Sequence, residues 1–175
     1  VATDHGFVAI DTLCLLRVRL DDTFDQRVEA IYGTALPATR TMRAWHHDKA
    51  AAVDQDAFGL LWGNDAASLA DIRRATPHHR ARMIRDGGSI VAFAISGYGG
   101  QSGYVQRVAV ATTHRRRGLA RALVVDALMW MRHRPLTTAY VNTGFENTAA
   151  LALYEGLGFE RMDDPLTIVE RAVEA

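Results

Sequence analysis

Between Arg80 and Met131 the apolar residues change their spacing once, and that change limits what the chain can fold into. Arg80 to Arg85 and Ser89 to Ser96 alternate with period two and bracket Asp86-Gly87-Gly88. That arrangement predicts an antiparallel hairpin, because glycine supplies the positive φ a tight turn requires. Tyr104 to Ala111 predicts a third strand after the loop Gly97 to Gly103. Leu119, Leu123, Val124, Ala127, Leu128 and Met131 then recur at helical spacing and predict an amphipathic helix that ends before Pro135. Strands followed by a helix that must bury its apolar stripe imply an α/β chain with a central sheet and helices on its faces.

The flanking segments extend this pattern. His5 to Leu20 predicts a strand pair or one long strand ending at Asp21-Asp22, and Asp22 to Arg40, broken by Gly33 and Pro37, reads as a linker. Thr41 to Trp45 predicts a strand. Asp48 is positioned to cap a helix running to about Ala57, with Phe58 to Asn64 as a loop. Asp65 is positioned to cap a second helix, carrying Leu69 and Ile72 and stopping before Pro77. Thr138 to Asn142 predicts a strand. Asn147 opens a helical pattern of Ala150, Leu153 and Tyr154, closed by Gly156 or Gly158. Phe159 to Val173 predicts a terminal strand pair turned at Asp163-Asp164-Pro165.

Bulk properties narrow the function. At 175 residues, 49% hydrophobic and 23% charged, the chain is long enough for one main domain with its own core. Twenty basic residues balance twenty acidic ones, so no overall field draws it toward nucleic acid or an anionic membrane, and any anion site must be local. Cys14 is the one cysteine, which excludes an intramolecular disulfide and a metal-thiolate cluster and fits a cytoplasmic location. No apolar stretch approaches the ~18 residues needed to span a bilayer, and the start lacks the layout of a signal peptide. His46-His47 and His78-His79 do not have the spacing of a zinc site, so no metal is expected.

The segment Val108-Ala109-Val110-Ala111-Thr112-Thr113-His114-Arg115-Arg116-Arg117-Gly118-Leu119-Ala120-Arg121 joins strand, loop and helix. A helix start carries unpaired N-H groups and partial positive charge, and Gly118 lets an anion approach the backbone. Four arginines, at 115, 116, 117 and 121, add charge where a pyrophosphate would need it. From spacing alone the segment is equally a solvated basic helix start, although arginines there oppose the helix dipole and so need another reason. There is no Gly-x4-Gly-Lys-Ser/Thr and no Gly-x-Gly-x-x-Gly.

Arg115-x-x-Gly118-x-Ala120, preceded by Val108-x-Val110 and followed by Asn147-x-x-Ala150-x-x-Leu153-Tyr154 and Gly158-Phe159, resembles the GNAT superfamily of N-acetyltransferases from about Thr41 onward. Two independent motifs in the family's order make the resemblance specific. It implies a GNAT fold: a mixed, twisted sheet, splayed at the cofactor strand, with helices on both faces. It further implies that Val108, Ala109 and Val110 pair with the pantetheine arm of acetyl-CoA, and that the N-H groups of Arg116, Arg117, Gly118, Leu119, Ala120 and Arg121 cradle its pyrophosphate, with Arg115 completing the loop. By the same resemblance Asn147 hydrogen-bonds the arm and Tyr154 protonates the departing thiolate. A phenol with an ordinary pKa of about 10 can be matched to that leaving group.

The partners implied are acetyl-coenzyme A and a primary amine on a small molecule or peptide terminus, attacked directly. Where ribosomal-protein alanine acetyltransferases carry a glutamate base before the Asn motif, this chain has Asn142, leaving Glu146, His114, or a water held by Gln106 or Asn142 as candidates. That departure keeps a non-catalytic coenzyme A-binding regulatory module as the alternative. Phe58, Leu60, Leu61 and Trp62 stand where relatives build the acceptor pocket, although core packing explains them as well. Residues 1–20, whose His5-Gly6-Phe7 echoes Leu157-Gly158-Phe159, resemble the tail of a GNAT unit. The expected organisation is therefore residues 1–20 as that tail, 21–40 as linker and 41–175 as the acetyltransferase domain, as in the C-terminal unit of a tandem-GNAT protein. Such strands either cover the domain's edge or pair with a second protomer in a homodimer.

Overall fold

The structure, a computed structural model, describes residues 7–24, 26 and 36–170. The echo at His5 and Gly6, most of the predicted linker and the end of the predicted terminal strand fall outside these residues. Chain order is β1 (Val8–Arg19), β2 (Arg40–Thr41), α1 (His47–Trp62), α2 (Ala66–Arg74), β3 (His78–Asp86), β4 (Ser89–Gly99) and β5 (Ser102–Val110), then α3 (Leu119–Arg132), β6 (Thr138–Gly144), α4 (Thr148–Glu155), β7 (Glu160–Arg161) and β8 (Leu166–Glu170). The chain divides into two compact units, one of residues 19–139 and one combining the residues up to 18 with those from 140 onward.

In the first unit β2, β3, β4 and β5 form an antiparallel ladder. The expected hairpin is present, with positive φ at Gly87 and Gly88 closing β3 onto β4. β4 reads as a continuous apolar run because both of its faces are covered. Phe93 and Ile95 pack with Met42, Val53 and Leu69 in the cluster that includes α1 and α2. Ala92 and Ala94 pack with Leu119, Ala122 and Leu123 of α3 in a second cluster. Alternation of side chains along a strand therefore places helices on both faces. Small alanines on the α3 side let that helix approach the sheet closely. A bulge shifts the register between Ile84 and Arg85, so Val91 and Ala92 both join the α3 cluster.

Asp126 of α3 ties the helix to the sheet: it accepts from Arg80 Nε at 2.7 Å and Thr39 Oγ1 at 2.7 Å, with Arg82 Nε at 3.3 Å. Burial raises its pKa, but the hydrogen bonds from Arg80 and Thr39 and the charges of both arginines outweigh burial and hold the carboxyl below its usual range.

Several element boundaries depart from the sequence reading. The strand expected at Thr41 to Trp45 is cut to Arg40–Thr41, and a 3-10 turn follows at Ala44–His46. α1 starts at His47 rather than behind an Asp48 cap, and it runs through the expected loop to Trp62, interrupted only at Gly59. Asp65 does cap α2, its Oδ1 accepting from Ser68 N at 2.7 Å. In the second unit β1 is one long strand. β7 and β8 both pair antiparallel with it, at Leu16–Arg17 and Val8–Leu13 respectively, instead of forming the expected terminal pair with each other. A twelve-residue strand offers enough ladder for two short partners.

Candidate functional site

Val110, Ala109 and Val108 stand opposite Ala92, Phe93 and Ala94 on β4, and Ala111 N donates to Val91 O at 2.9 Å. In an antiparallel ladder, successive residues turn their N-H and C=O groups to alternate sides. Ala109 therefore faces β4, whereas Val108 and Val110 direct their backbone groups away from it. The sequence reading assigns the main chain of Val108, Ala109 and Val110 to an extended ligand; the backbone groups of Ala109 are instead taken by the ladder with β4, which leaves those of Val108 and Val110.

After β5 a 3-10 turn at Thr112–His114 leads to Arg115, and the chain then enters the left-handed region at Arg116 (φ 63°) and Gly118 (φ 74°, ψ 6°). Gly118 is the N-cap of α3 and has no side chain to cap with. The first intrahelical bond is Ala122 N to Gly118 O at 3.0 Å, so the amides of Leu119, Ala120 and Arg121 precede the ladder. A Cβ placed on Gly118 would meet nothing within 4 Å. Arg121 Nε is buried without a hydrogen-bond partner among the described residues. An uncapped helix start, open space above its glycine and an orphaned guanidinium nitrogen together fit a polyanionic group such as the pyrophosphate of a coenzyme A.

Three other basic side chains of the segment, Arg115, Arg117 and His114, are engaged by the protein. Arg115 Nη2 donates to Ala57 O at 3.0 Å, and Arg117 Nη1 lies 3.6 Å from Asp86 Oδ2. His114 is held between Asp86 Oδ2 (3.2 Å) and Thr113 Oγ1 (2.8 Å), and Gln106 Nε2 donates to Ile72 O at 2.9 Å. Thr112 donates its N-H to Asp56 at 2.6 Å and its hydroxyl at 3.0 Å. Those bonds, the backbone one first, hold the Asp56 carboxyl below its usual range.

Sequence reasoning missed one pair beside this segment. Asp54, fully buried in α1, receives Arg107 Nε at 2.8 Å and Nη2 at 2.7 Å, and the same Nη2 donates to Trp62 O at 2.7 Å. The signals were an aspartate directly after the apolar run Ala50 to Val53 on α1 and an arginine inside a period-two strand. Of the proposed acceptor residues, Phe58 packs beneath the Arg107 guanidinium, 3.7 Å from its ring centroid, and against the core; Leu60 and Leu61 are 96% and 83% exposed.

In the second unit Asn147 caps α4, its Oδ1 accepting from Ala150 N at 3.2 Å, which leaves the amide NH2 as the atom for a ligand. Tyr154 is 6% exposed, edge-on to Phe159 at 5.6 Å between centroids, and burial pushes its pKa up to about 12. Asn142 and Glu146 are exposed. His46 Nδ1 accepts from Arg43 N at 3.0 Å and His78 stacks on Tyr98, so these histidines have structural contacts. Among the described residues no three His, Cys, Asp or Glu side chains gather as metal ligands. No helix among them is long and apolar enough to cross a membrane.

N-alpha-acetyltransferase 30 of Saccharomyces cerevisiae is 43% identical over 60 residues, which cover 34% of this chain and 34% of the yeast protein. Mycothiol acetyltransferase of Renibacterium salmoninarum is 27% identical over 182 residues, covering 93% of this chain and 52% of that protein. This chain thus spans about a third to a half of the length of these curated relatives. A GNAT-family acetyltransferase structure from Novosphingobium aromaticivorans superposes with a TM-score of 0.69 at 18% identity, covering 96% of this chain and 69% of that one, which shows the shared α/β GNAT fold. The sequence model of the Acetyltransferase (GNAT) family matches residues 39–159, a span that contains β5, the Gly118 helix start, Asn147 and Tyr154, and the chain belongs to that family.

Proposed function

We infer that this chain transfers an acetyl group from acetyl-coenzyme A to a primary amine of a small molecule or a peptide terminus by direct attack. The observation that carries the reading is the helix start at Gly118, uncapped, open and reached from a strand whose Val108 and Val110 direct their main chain away from β4. Acetyl-coenzyme A would supply the activated thioester. The amides of Leu119 to Arg121 and the Arg121 guanidinium would hold its phosphates, and the backbone of Val108 and Val110 would align its arm and donate to the developing oxyanion. Arg115, Arg116 and Arg117 would contribute local positive potential, and the Asn147 amide NH2 a further hydrogen bond.

Tyr154 is the proposed acid. With its pKa pushed up to about 12 the phenol stays neutral and keeps its proton at physiological pH. Full transfer to a thiolate of ordinary pKa ~8.5 is uphill by roughly 3–4 units, on the order of 5 kcal/mol, so the phenol acts first as a hydrogen-bond donor to the sulfur as negative charge develops there. The amine must be neutral to attack. His114 and Gln106 are tied to Asp86 and Ile72, which favours Glu146 or a water held by Asn142 for removing its proton.

The relatives' names span both acceptor classes, an N-alpha amine for the yeast protein and mycothiol chemistry for the bacterial one. Calorimetry with acetyl-coenzyme A followed by a thiol-release screen of amines tests the reading. Saturable binding with turnover on at least one amine is expected, and absence of binding overturns it. Binding without turnover on either peptide termini or small amines would favour the non-catalytic coenzyme A-binding module that Asn142, in place of a glutamate, suggests.

A further inference from the structure

His47, Ala50, Ala51 and Asp54 recur at helical spacing along α1 and are all buried, so the helix begins its inward face with an imidazole. Ala50 and Ala51 pack with Leu69 of α2, and His47, one turn earlier on the same face, is 6% exposed. Its backbone N-H is taken by Ala44 O, but its ring atom Nε2 is buried without a hydrogen-bond partner among the described residues. The same holds for Arg73 Nε in the last turn of α2. Among the described residues the charges that bear on the His47 ring are Arg73 and Arg74 of α2, His46 of the 3-10 turn and Asp48 of α1, and Asp48 alone of these is acidic. Arg74 is itself paired with Asp71 at 2.6 Å. Burial first, then Arg73, holds the His47 ring below the ordinary histidine value, with Asp48 opposing. His79 of β3 is depressed in the same direction, by burial and then by Arg73. In an imidazolium both ring nitrogens are donors, so protonating His47 in place leaves Nε2-H without an acceptor and adds a buried cation to the field of Arg73.

We propose that His47 is an acid-released latch: neutral, it packs the first turn of α1 onto α2, and protonated, it leaves that interface and frees residues 44–50 while the sheet and α3 stay folded. The latch stands independently of the acyl-transfer reading. In the released state the ring takes up its proton at the ordinary value of about 6.5, and in the packed state only at a lower pH. The packed state is therefore fully favoured above pH ~6.5 and loses ground as pH falls below it, until the packed-state value is passed.

Hydrogen exchange, corrected for its intrinsic pH dependence, is compared between about pH 7.5 and 5 in the wild type and in His47→Gln, a polar substitute that does not titrate. In the wild type the first laddered amides of α1, Ala50 and Ala51, should open roughly threefold more often or better at the acid end, while Leu123 and Val124 in α3 stay as they were. In His47→Gln that acid opening should vanish, and the Tm of the wild type should fall relative to the variant over the same range. His79 is present in both proteins, so its own titration cancels. The His47 ring resonance, identified as the one missing from the variant, should titrate below about 6.5. Should His47→Gln not fold, Arg73→Gln removes the largest charge acting on the ring and must shrink the ratio of acid to neutral exchange at Ala50 and Ala51. Equal pH dependence in wild type and His47→Gln, or a His47 ring that titrates at or above the ordinary value, overturns the proposal. An acid opening that excess inorganic phosphate abolishes also overturns it, since His47 and Arg73 would then hold an anion rather than repel each other.

Discussion

Replacing Gly118 tests whether the α3 entry meets the pyrophosphate proposed for it. At φ 74° any L-residue pays a left-handed penalty of about 1–2 kcal/mol. Because an added Cβ meets nothing within 4 Å, that penalty is the main stability cost of both Gly118→Ala and Gly118→Glu. For a domain of this size about 1 kcal/mol lowers Tm by roughly 2–4 °C, and both variants should show a similar shift. Their binding should differ. A glutamate carboxylate about 5 Å from a bound phosphate, at an effective dielectric of ~20–40, costs roughly 2–3 kcal/mol, or about 30- to 150-fold in affinity. Alanine carries no such charge. Calorimetric titration of both variants with acetyl-coenzyme A, at low and at high salt, isolates the electrostatic part, which screening should shrink. Equal affinities for the two variants would refute the placement of the pyrophosphate at this helix start.

Tyr154 should still be protonated at a pH where exposed tyrosines have ionised. A folded pKa of about 12 against an ordinary value of about 10 means that the unfolded chain loses this proton first. Its contribution is complete below pH ~10 and is lost as pH rises toward 12, about 2–3 kcal/mol in all. Across that range the stability of the wild type should fall relative to Tyr154→Phe by this amount in denaturant melts, and turnover of the variant at neutral pH should fall about 10²-fold; parallel stability curves or equal turnover would remove the assignment. Gly97→Ala should destabilise more than Gly118→Ala, and by a clash rather than by backbone strain. Its Cβ would overlap Thr76 Oγ1 and press on His78 O at 2.8 Å and Gln106 Oε1 at 2.9 Å, costing about 2–3 kcal/mol and roughly 5–10 °C in a thermal melt.

The β3–β4 hairpin, the amphipathic α3 and the Asp65 cap were legible because each depends on residues within a few positions of one another. A glycine pair sets its own turn, and a carboxylate caps an amide three residues on. The unpaired amides after Gly118 belong to the same class, because they follow from where a helix begins, whereas its left-handed φ was not readable from the sequence. The end of α1 does not. Phe58 to Trp62 contains glycine and exposed leucines, the ordinary marks of a loop, yet the chain turns helically to Trp62. What holds it is Arg107, forty-five residues away in sequence, reaching Trp62 O and Asp54. β7 and β8 likewise find partners on β1, at the far end of the chain, rather than in each other. Local backbone chemistry and the period of apolar residues were enough to outline the strands, the helices and an anion-ready helix start. Which polar groups are consumed by the protein, as with Arg115 on Ala57 O and His114 on Asp86, and which stay without a hydrogen-bond partner among the described residues, as with Arg121 Nε, was decided by packing, because a hydrogen bond between distant segments exists only once the fold has brought its donor and acceptor within reach.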